Sequence, residues 1–251
     1  MKAAANWFEA SFGFIEESPA QVRSLIELKD RKLRSRVNGA EFGCGWLQCP
    51  RLDELRKEDS PQTSEQASTL SEIVGDVSEL HRDPAFANAI FQVASQFNLL
   101  EMPGPSVTPE EGIGIYTYDR TQGPACAIAC GGGTLYRNYF VPLEDQLGQS
   151  AERQINYLAD LSQELGEGLI SMRNGYAMAE QPALAQIAER IHSSTDDERD
   201  ALRGLLRIGV HQDAQAIDTE QPVTQAFCSA LPLAYSQVPE SAWEPFARLI
   251  L

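Results

Sequence analysis

The chain's pattern predicts an α/β protein with a mixed, mostly parallel sheet covered by helices on both faces. Three observations carry this. Apolar runs of strand length alternate with stretches of helical periodicity, the loops after those runs are built of small and polar residues, and an Asn-Gly pair lies between two strand-like runs. With 251 residues, 43% of them hydrophobic, there is material for the core of one large domain. A hairpin-containing N-terminal extension over residues 1–60 is expected to pack on a main α/β domain over residues 70–251.

Taken in order, an aromatic cluster (Trp7, Phe8, Phe12, Phe14) precedes a helical stretch at 20–28. Asn38-Gly39 then marks a hairpin between the runs 32–37 and 41–47. Residues 52–57 read as a short helix, and 58–68, rich in Ser, Gln, Thr and Pro, as a polar linker. The run 70–74 reads as a strand ending at Gly75-Asp76, 77–80 as a helical turn, and 87–93 as a buried strand. The segment with Pro103, Pro105 and Pro109 is too proline-rich for regular structure, while 123–129 suits a helix with Pro124 in its first turn. The clearest helical pattern lies at 151–165, where Ile155, Leu158, Leu161 and Leu165 share one face. A strand at 169–173 closes at Asn174-Gly175. Helices follow at 183–191 and 195–206, strands at 204–210 and 223–228, and a last helix at 241–251.

The formal net charge of −16 repels polyanions, so nucleic-acid binding is not expected, whereas a nucleotide-sized anion can still be held by backbone N–H groups. No apolar run is long enough to span a bilayer, and the first residues lack the apolar segment of a secretory signal; a cytoplasmic protein without membrane contact is expected. Five cysteines, an odd number spread along the chain, do not form a disulfide pattern. His81, His192 and His211 are far apart and Cys126 and Cys130 lack a second pair, so no metal or other cofactor is expected. There is no Gly-x-Ser-x-Gly elbow, P-loop or Gly-x-Gly-x-x-Gly.

Small-residue loops after strands are where α/β sheets bind ligands. Three stand out. In 92–98, Asn98 suits a pair of sugar hydroxyls, or else caps a turn. In 119–127, Gln122 and Gly123 open a helix whose N–H groups suit a phosphate, and the nearby Gly131-Gly132-Gly133 is a second glycine-rich stretch, or else a helix stop. In 228–235, Ser229 and its neighbours could cradle a second phosphate and Tyr235 stack on a sugar, although Cys228 and Tyr235 also suit the core. Of the carboxylates flanking these loops, Glu101 and Asp119 are the candidate general acid or base.

The order of these loops resembles the macrodomain family, three-layer α/β/α modules that bind ADP-ribose and in some branches hydrolyse ADP-ribosyl bonds. Val74-Gly75-Asp76-Val77 stands where that family has a strand ending Gly-Asp-Ile, and 89–98 where it has an apolar strand leading to Asn-Ala-Ala-Asn, here Ala-Ser-Gln-Phe-Asn. The family's glycine loop corresponds to 121–127 or to the Gly131 triplet, and its late phosphate loop to 229–235. The layout of 91–137 is also similar to the poly(ADP-ribose) glycohydrolase branch, but Gln122 is followed by Gly123-Pro124 rather than Glu-Glu. The resemblance implies Asp76 at the adenine amino group, Asn98 at the distal ribose, and the Gln122-Gly123 and 229–235 backbones at the diphosphate. Expected partners are therefore ADP-ribose or a similar nucleotide and ADP-ribosylated protein, with either reading or hydrolysis of the modification. The alternative expectation is a non-catalytic module whose aromatic N-terminus and proline-rich loop bind a protein.

Overall fold

The computed structural model describes residues 6–58, 69–229, 231 and 233–250. The expected linker thus lies, from residue 59 onward, outside the described residues. Helices α1 (Trp7–Phe12) and α2 (Pro19–Leu25) lead into a meander of β1 (Ile26–Lys29), β2 (Lys32–Ser35) and β3 (Glu41–Gln48), followed by α3 (Leu52–Glu58) and α4 (Val77–Arg82). Strand β4 (Ile90–Ser95), helices α5 (Gln122–Ala129) and α6 (Gly131–Tyr139), and the short pair β5 (Pro142–Leu143) and β6 (Gln146–Leu147) come next. Helix α7 (Ala159–Leu165), hairpin β7 (Ser171–Arg173) and β8 (Tyr176–Met178), and helices α8 (Gln181–Ser193) and α9 (Asp196–Gly204) precede β9 (Gly209–Gln215), β10 (Pro222–Ser229) and α10 (Glu240–Ile250).

The main sheet is mixed, in the order β1-β2-β3-β9-β10-β4, and only β10 and β4 run parallel. The Asn38-Gly39 turn joins β2 to β3 as its sequence predicts. Strand β3 hydrogen-bonds directly to β9, so the N-terminal strands are half of the same sheet as β4, β9 and β10. No helix among the described residues is long and apolar enough to cross a membrane.

Helices α4, α5 and α6 cover one face of this sheet. His81 of α4 stacks on Phe91, the Gln225 amide donates to the Cys126 carbonyl and to His81 Nε2, and Gly133 of α6 sits over His211 and Ala214. The opposite face carries Trp46, Gln92, Ala94 and Gln212, all exposed. This corrects the expected cover on both faces among the described residues: the strands alternate buried and exposed positions, the pattern of a half-buried, mainly antiparallel sheet.

Two apolar clusters hold the parts together. One gathers Trp7, Phe8, Phe12, Ile26, Leu33, Leu135 and Tyr139 between α1, the meander and α6. The aromatic N-terminus, expected as a docking surface in the alternative reading, is therefore core; Phe8 is fully buried. Glu16 fastens the same segment to the following turn, its carboxylate accepting from the Ile113 and Gly114 N–H groups and the Tyr139 hydroxyl. The second cluster joins the ends of β4 and β10 to α7, α8, α9 and α10 through Phe97, Leu99, Tyr157, Phe227, Trp243 and Phe246.

Several local expectations change, among them the strand expected at 204–210, which forms at Gly209–Gln215. Residues 70–74 form no strand, and Leu70 and Val74 lie almost wholly in solvent. The helix expected at 20–28 ends at Leu25 because Ile26–Lys29 pairs with β2. The helix expected at 151–165 covers only 159–165: residues before it are held in irregular chain by distant partners, with Gln149 Oε1 accepting from Ile155 N–H and Tyr157 N–H donating to the Phe97 carbonyl. Tertiary bonds there outweigh a helical pattern of apolar residues.

Candidate functional site

Strands β4 and β10 are the parallel pair, and Ser95 and Ser229 stand side by side at their carboxyl ends. Helix α5 begins beside that end. Its residue Gln122 clamps the free edge of β4: Oε1 accepts from Ala94 N–H at 2.8 Å and Nε2 donates to the Gln92 carbonyl at 2.5 Å. Gly123 lets the helix come this close, since a β-carbon there would lie 2.1 Å from the Ala94 carbonyl oxygen and 3.1 Å from Glu101 Cγ. In the first turn of this helix only Gln122 and Gly123 carry N–H groups free of an intrahelical partner, since Pro124 has none and Ala125 N–H donates to the Thr121 carbonyl.

Glu101 is 2% exposed and neither carboxyl oxygen has a hydrogen-bond partner among the described residues. It lines a cleft of about 500 Å³ together with Pro103, Ile115, Tyr116, Tyr118, Asp119 and Arg120. Arg137 Nη2 stands 3.9 Å from Glu101 Oε2, beyond hydrogen-bond distance. Burial outweighs this attraction and that of the Tyr116 hydroxyl, and pushes the Glu101 pKa up to about 8. Burial thus favours the protonated, uncharged form, and the carboxyl oxygens have no hydrogen-bond partner among the described residues.

Arg137 is itself wholly buried. Its Nε donates to the Leu99 carbonyl at 3.1 Å and Nη2 to Thr134 Oγ1 at 3.0 Å, and the guanidinium lies 4.1 Å from the centre of the Phe227 ring. Because guanidinium only donates, His211 Nδ1, 3.3 Å from Nη1, is the acceptor, and His211 Nε2–H donates to the Cys44 carbonyl. Burial first, then the Arg137 charge, holds the His211 pKa down to about 3, so this ring stays neutral.

The mouth of the cleft is differently equipped. Tyr118 is 80% exposed, and Arg120 has no carboxylate within 4.0 Å among the described residues. Asp119 accepts from Thr121 N–H and Thr121 Oγ1, fixing the turn that leads into α5. Two further polar atoms, Gln96 Oε1 and Ser229 Oγ, are buried without partners among the described residues at the ends of the same two strands. Buried polar groups are normally satisfied. Asn138 Oδ1 and Gln225 Oε1 are likewise unpartnered among the described residues, so it is the Glu101 carboxyl, which lines the cleft, that distinguishes this end of the strand pair.

The structure thus brings Glu101, Asp119, Gln122 and Gly123 to one place, with Ser229 at the adjoining strand end. The other expected site residues lie elsewhere. Asn98 is fully buried and caps a turn, its Oδ1 accepting from Leu100 N–H and its amide donating to Gln154; it cannot face a ribose. Gly131 and Gly132 lie within α6, where a β-carbon would meet the Trp7 ring and the Gly43 carbonyl, so these glycines serve packing of helix on strand. Asp76 is the exposed N-cap of α4, accepting from Ser78 N–H, without the strand expected before it. Tyr235 donates to the Pro103 carbonyl and lines a separate cleft of about 850 Å³ with Arg173, Gln181 and Trp243. The side-chain amide of Gln122 is likewise committed to β4, which leaves only its backbone for a ligand.

Tyr116, Tyr118, Arg120 and Arg137 were not legible as site residues. Arg120 stood inside the loop singled out for its glycine and could have been noted as its only cation; nothing in sequence marks Arg137 as buried. Compared with protein-family models, with curated proteins and with solved structures, the chain has no match.

Proposed function

We propose that the Glu101 cleft binds a small phosphate-bearing nucleotide of the ADP-ribose type and that Glu101 is the acid in cleavage of an ADP-ribosyl linkage. One observation carries the reading: a carboxyl group buried to 2% exposure, with no hydrogen-bond partner among the described residues, lines a cleft with Tyr118, Asp119 and Arg120. Each neighbour has a role by its chemistry. Arg120 and the first-turn N–H groups of α5 suit a diphosphate, and Tyr118 offers an open ring to a base. Glu101 would give its proton to the leaving group as the glycosidic bond breaks, and Asp119, which also lines the cleft, would take one from a water attacking the opposite face of the sugar.

Thermal denaturation with ADP-ribose tests the binding. The melting temperature is expected to rise with ligand concentration and to respond less in Arg120→Ala. No rise at millimolar ligand removes the proposal. Glu101→Gln is expected to keep the rise while losing release of ADP-ribose from a modified protein; equal release by both proteins would mean that Glu101 is not the acid.

The Glu101 environment also makes a stability prediction. Its folded pKa is raised from 4.5 to about 8, so the folded state holds the extra proton between those values and loses stability as pH rises through them. Urea titrations of wild type and Glu101→Gln are expected to diverge over this range, the variant gaining on wild type as pH increases. Each pKa unit is worth about 1.4 kcal/mol. A difference that stays constant from pH 4.5 to 8 would show that this carboxyl is not held neutral.

A further inference from the structure

The β1–β2 hairpin carries charge of the wrong sign for this chain. Residues 26–36 include five basic side chains and two acidic, Asp30 and Glu27, the latter the cross-strand partner of Arg34, in a protein of formal net charge −16. Lys29, Arg31, Lys32, Arg34 and Arg36 are all exposed. Elsewhere on the surface arginine after arginine is matched to a carboxylate, from Arg51–Asp53 and Arg56–Asp200 to Arg207–Asp160 and Arg248–Glu244. On the hairpin only Arg34 has one within 4.0 Å, Glu41 at 3.5 Å; among the described residues Lys29, Arg31, Lys32 and Arg36 have none.

The arrangement costs stability. Lys29 and Lys32 are direct cross-strand partners, and like charges so placed repel. Arg31, in the turn between them, lies with its guanidinium 3.9 Å over the ring of the exposed Trp46, which holds this charge against the sheet. Strand β1 is also the last strand of the sheet, so one row of its backbone donors and acceptors faces outward. Lysine on an edge strand can serve to keep other chains away. That device needs a charge or two on the strand itself, whereas here the unmatched cations run through the turn at Arg31 and beyond β2 to Arg36.

We propose that this hairpin docks a short acidic polypeptide segment, which adds as a strand along the free edge of β1 with its carboxylates over Lys29, Lys32 and Arg36. Charge complementarity selects an acidic partner, and the open backbone row selects an extended polypeptide over a nucleic acid. The remaining surface is strongly negative and repels any polyanion that reaches past the patch by more than the screening length, about 8 Å at physiological salt, which favours a short segment.

The test uses the full chain and a fluorescent peptide of alternating Glu and Thr, with binding followed by anisotropy. Saturable binding is expected, weakened at least about tenfold by Lys29→Glu with Lys32→Glu, and weakened by added salt. The same peptide with Pro in place of Thr keeps the charge but lacks half of the N–H groups, and it should bind more weakly. Circular dichroism checks that the variant is folded, and Arg36→Glu, outside the strand pairing, repeats the test if it is not. Absence of saturable binding, indifference to the charge reversal, equal binding of the Pro peptide, or tighter binding of an oligouridylate of the same length would each overturn the proposal.

Discussion

Replacing Arg137 with alanine is expected to destabilise the fold by about 3–5 kcal/mol, a large part of the roughly 5–15 kcal/mol that holds a domain folded. The side chain is wholly buried and links four parts of the protein. It donates to the Leu99 carbonyl, to Thr134 and to His211, and its charged plane lies against the Phe227 ring. Alanine leaves the Leu99 carbonyl and His211 Nδ1 without a donor, and opens a cavity where α6 meets β9 and β10. No other residue can replace the fork, because β9 supplies the His211 ring and the loop after β4 supplies the carbonyl. Arg137→Lys should fall between, since an ammonium cannot reach these acceptors in one plane. Urea denaturation of the two variants gives the comparison; a loss below about 1 kcal/mol for alanine would mean that the buried guanidinium does not hold these segments together.

Gly123→Ala is expected to lower stability by about 1–3 kcal/mol and to disable the proposed site more severely than it weakens the fold. Its β-carbon would sit 2.1 Å from the Ala94 carbonyl oxygen, and both groups belong to backbone, so neither can rotate away. Helix α5 must then withdraw from β4, which breaks the Gln122 clamp and moves the helix start away from Glu101. Gly75→Ala is the control: Gly75 is exposed, and the nearest atom to its added carbon is Leu80 Cδ2 at 3.9 Å. It should stay within about 0.5 kcal/mol of wild type. Equal melting temperatures for Gly123→Ala and wild type would show that the helix start is not pressed against the strand.

The two substitutions also separate what pattern can reveal from what it cannot. The glycines at 123 and at 131–133 looked alike in sequence, as small residues suited to a phosphate. In the structure all of them admit close packing, and only Gly123 does so beside an unsatisfied acid. Asn98 looked like a ligand-facing amide and proved to be a buried turn cap, because Leu100 N–H and Gln154 take up its bonding capacity. Glu101 and Asp119, chosen only for their position beside the loops, do line one cleft. The hairpin at Asn38-Gly39 and the strands at β4 and β10 were readable because turn chemistry and short apolar runs are local, although β4, expected as a buried strand at 87–93, forms at 90–95 with alternate residues exposed.

By itself the sequence determined an α/β protein with a mixed sheet, a strongly negative charge, and a helix beginning near Pro124. Tertiary structure alone decided that the N-terminal meander belongs to the same sheet, that Arg137 is buried, and that the Glu101 carboxyl has no hydrogen-bond partner among the described residues. The reason is physical: local periodicity and turn preference are set by neighbours in the chain, whereas burial and unmet hydrogen bonds depend on which distant segments are brought together. Leu99, Thr134 and His211, scattered across more than a hundred positions, surround one guanidinium only after β9 and the loop following β4 have been placed.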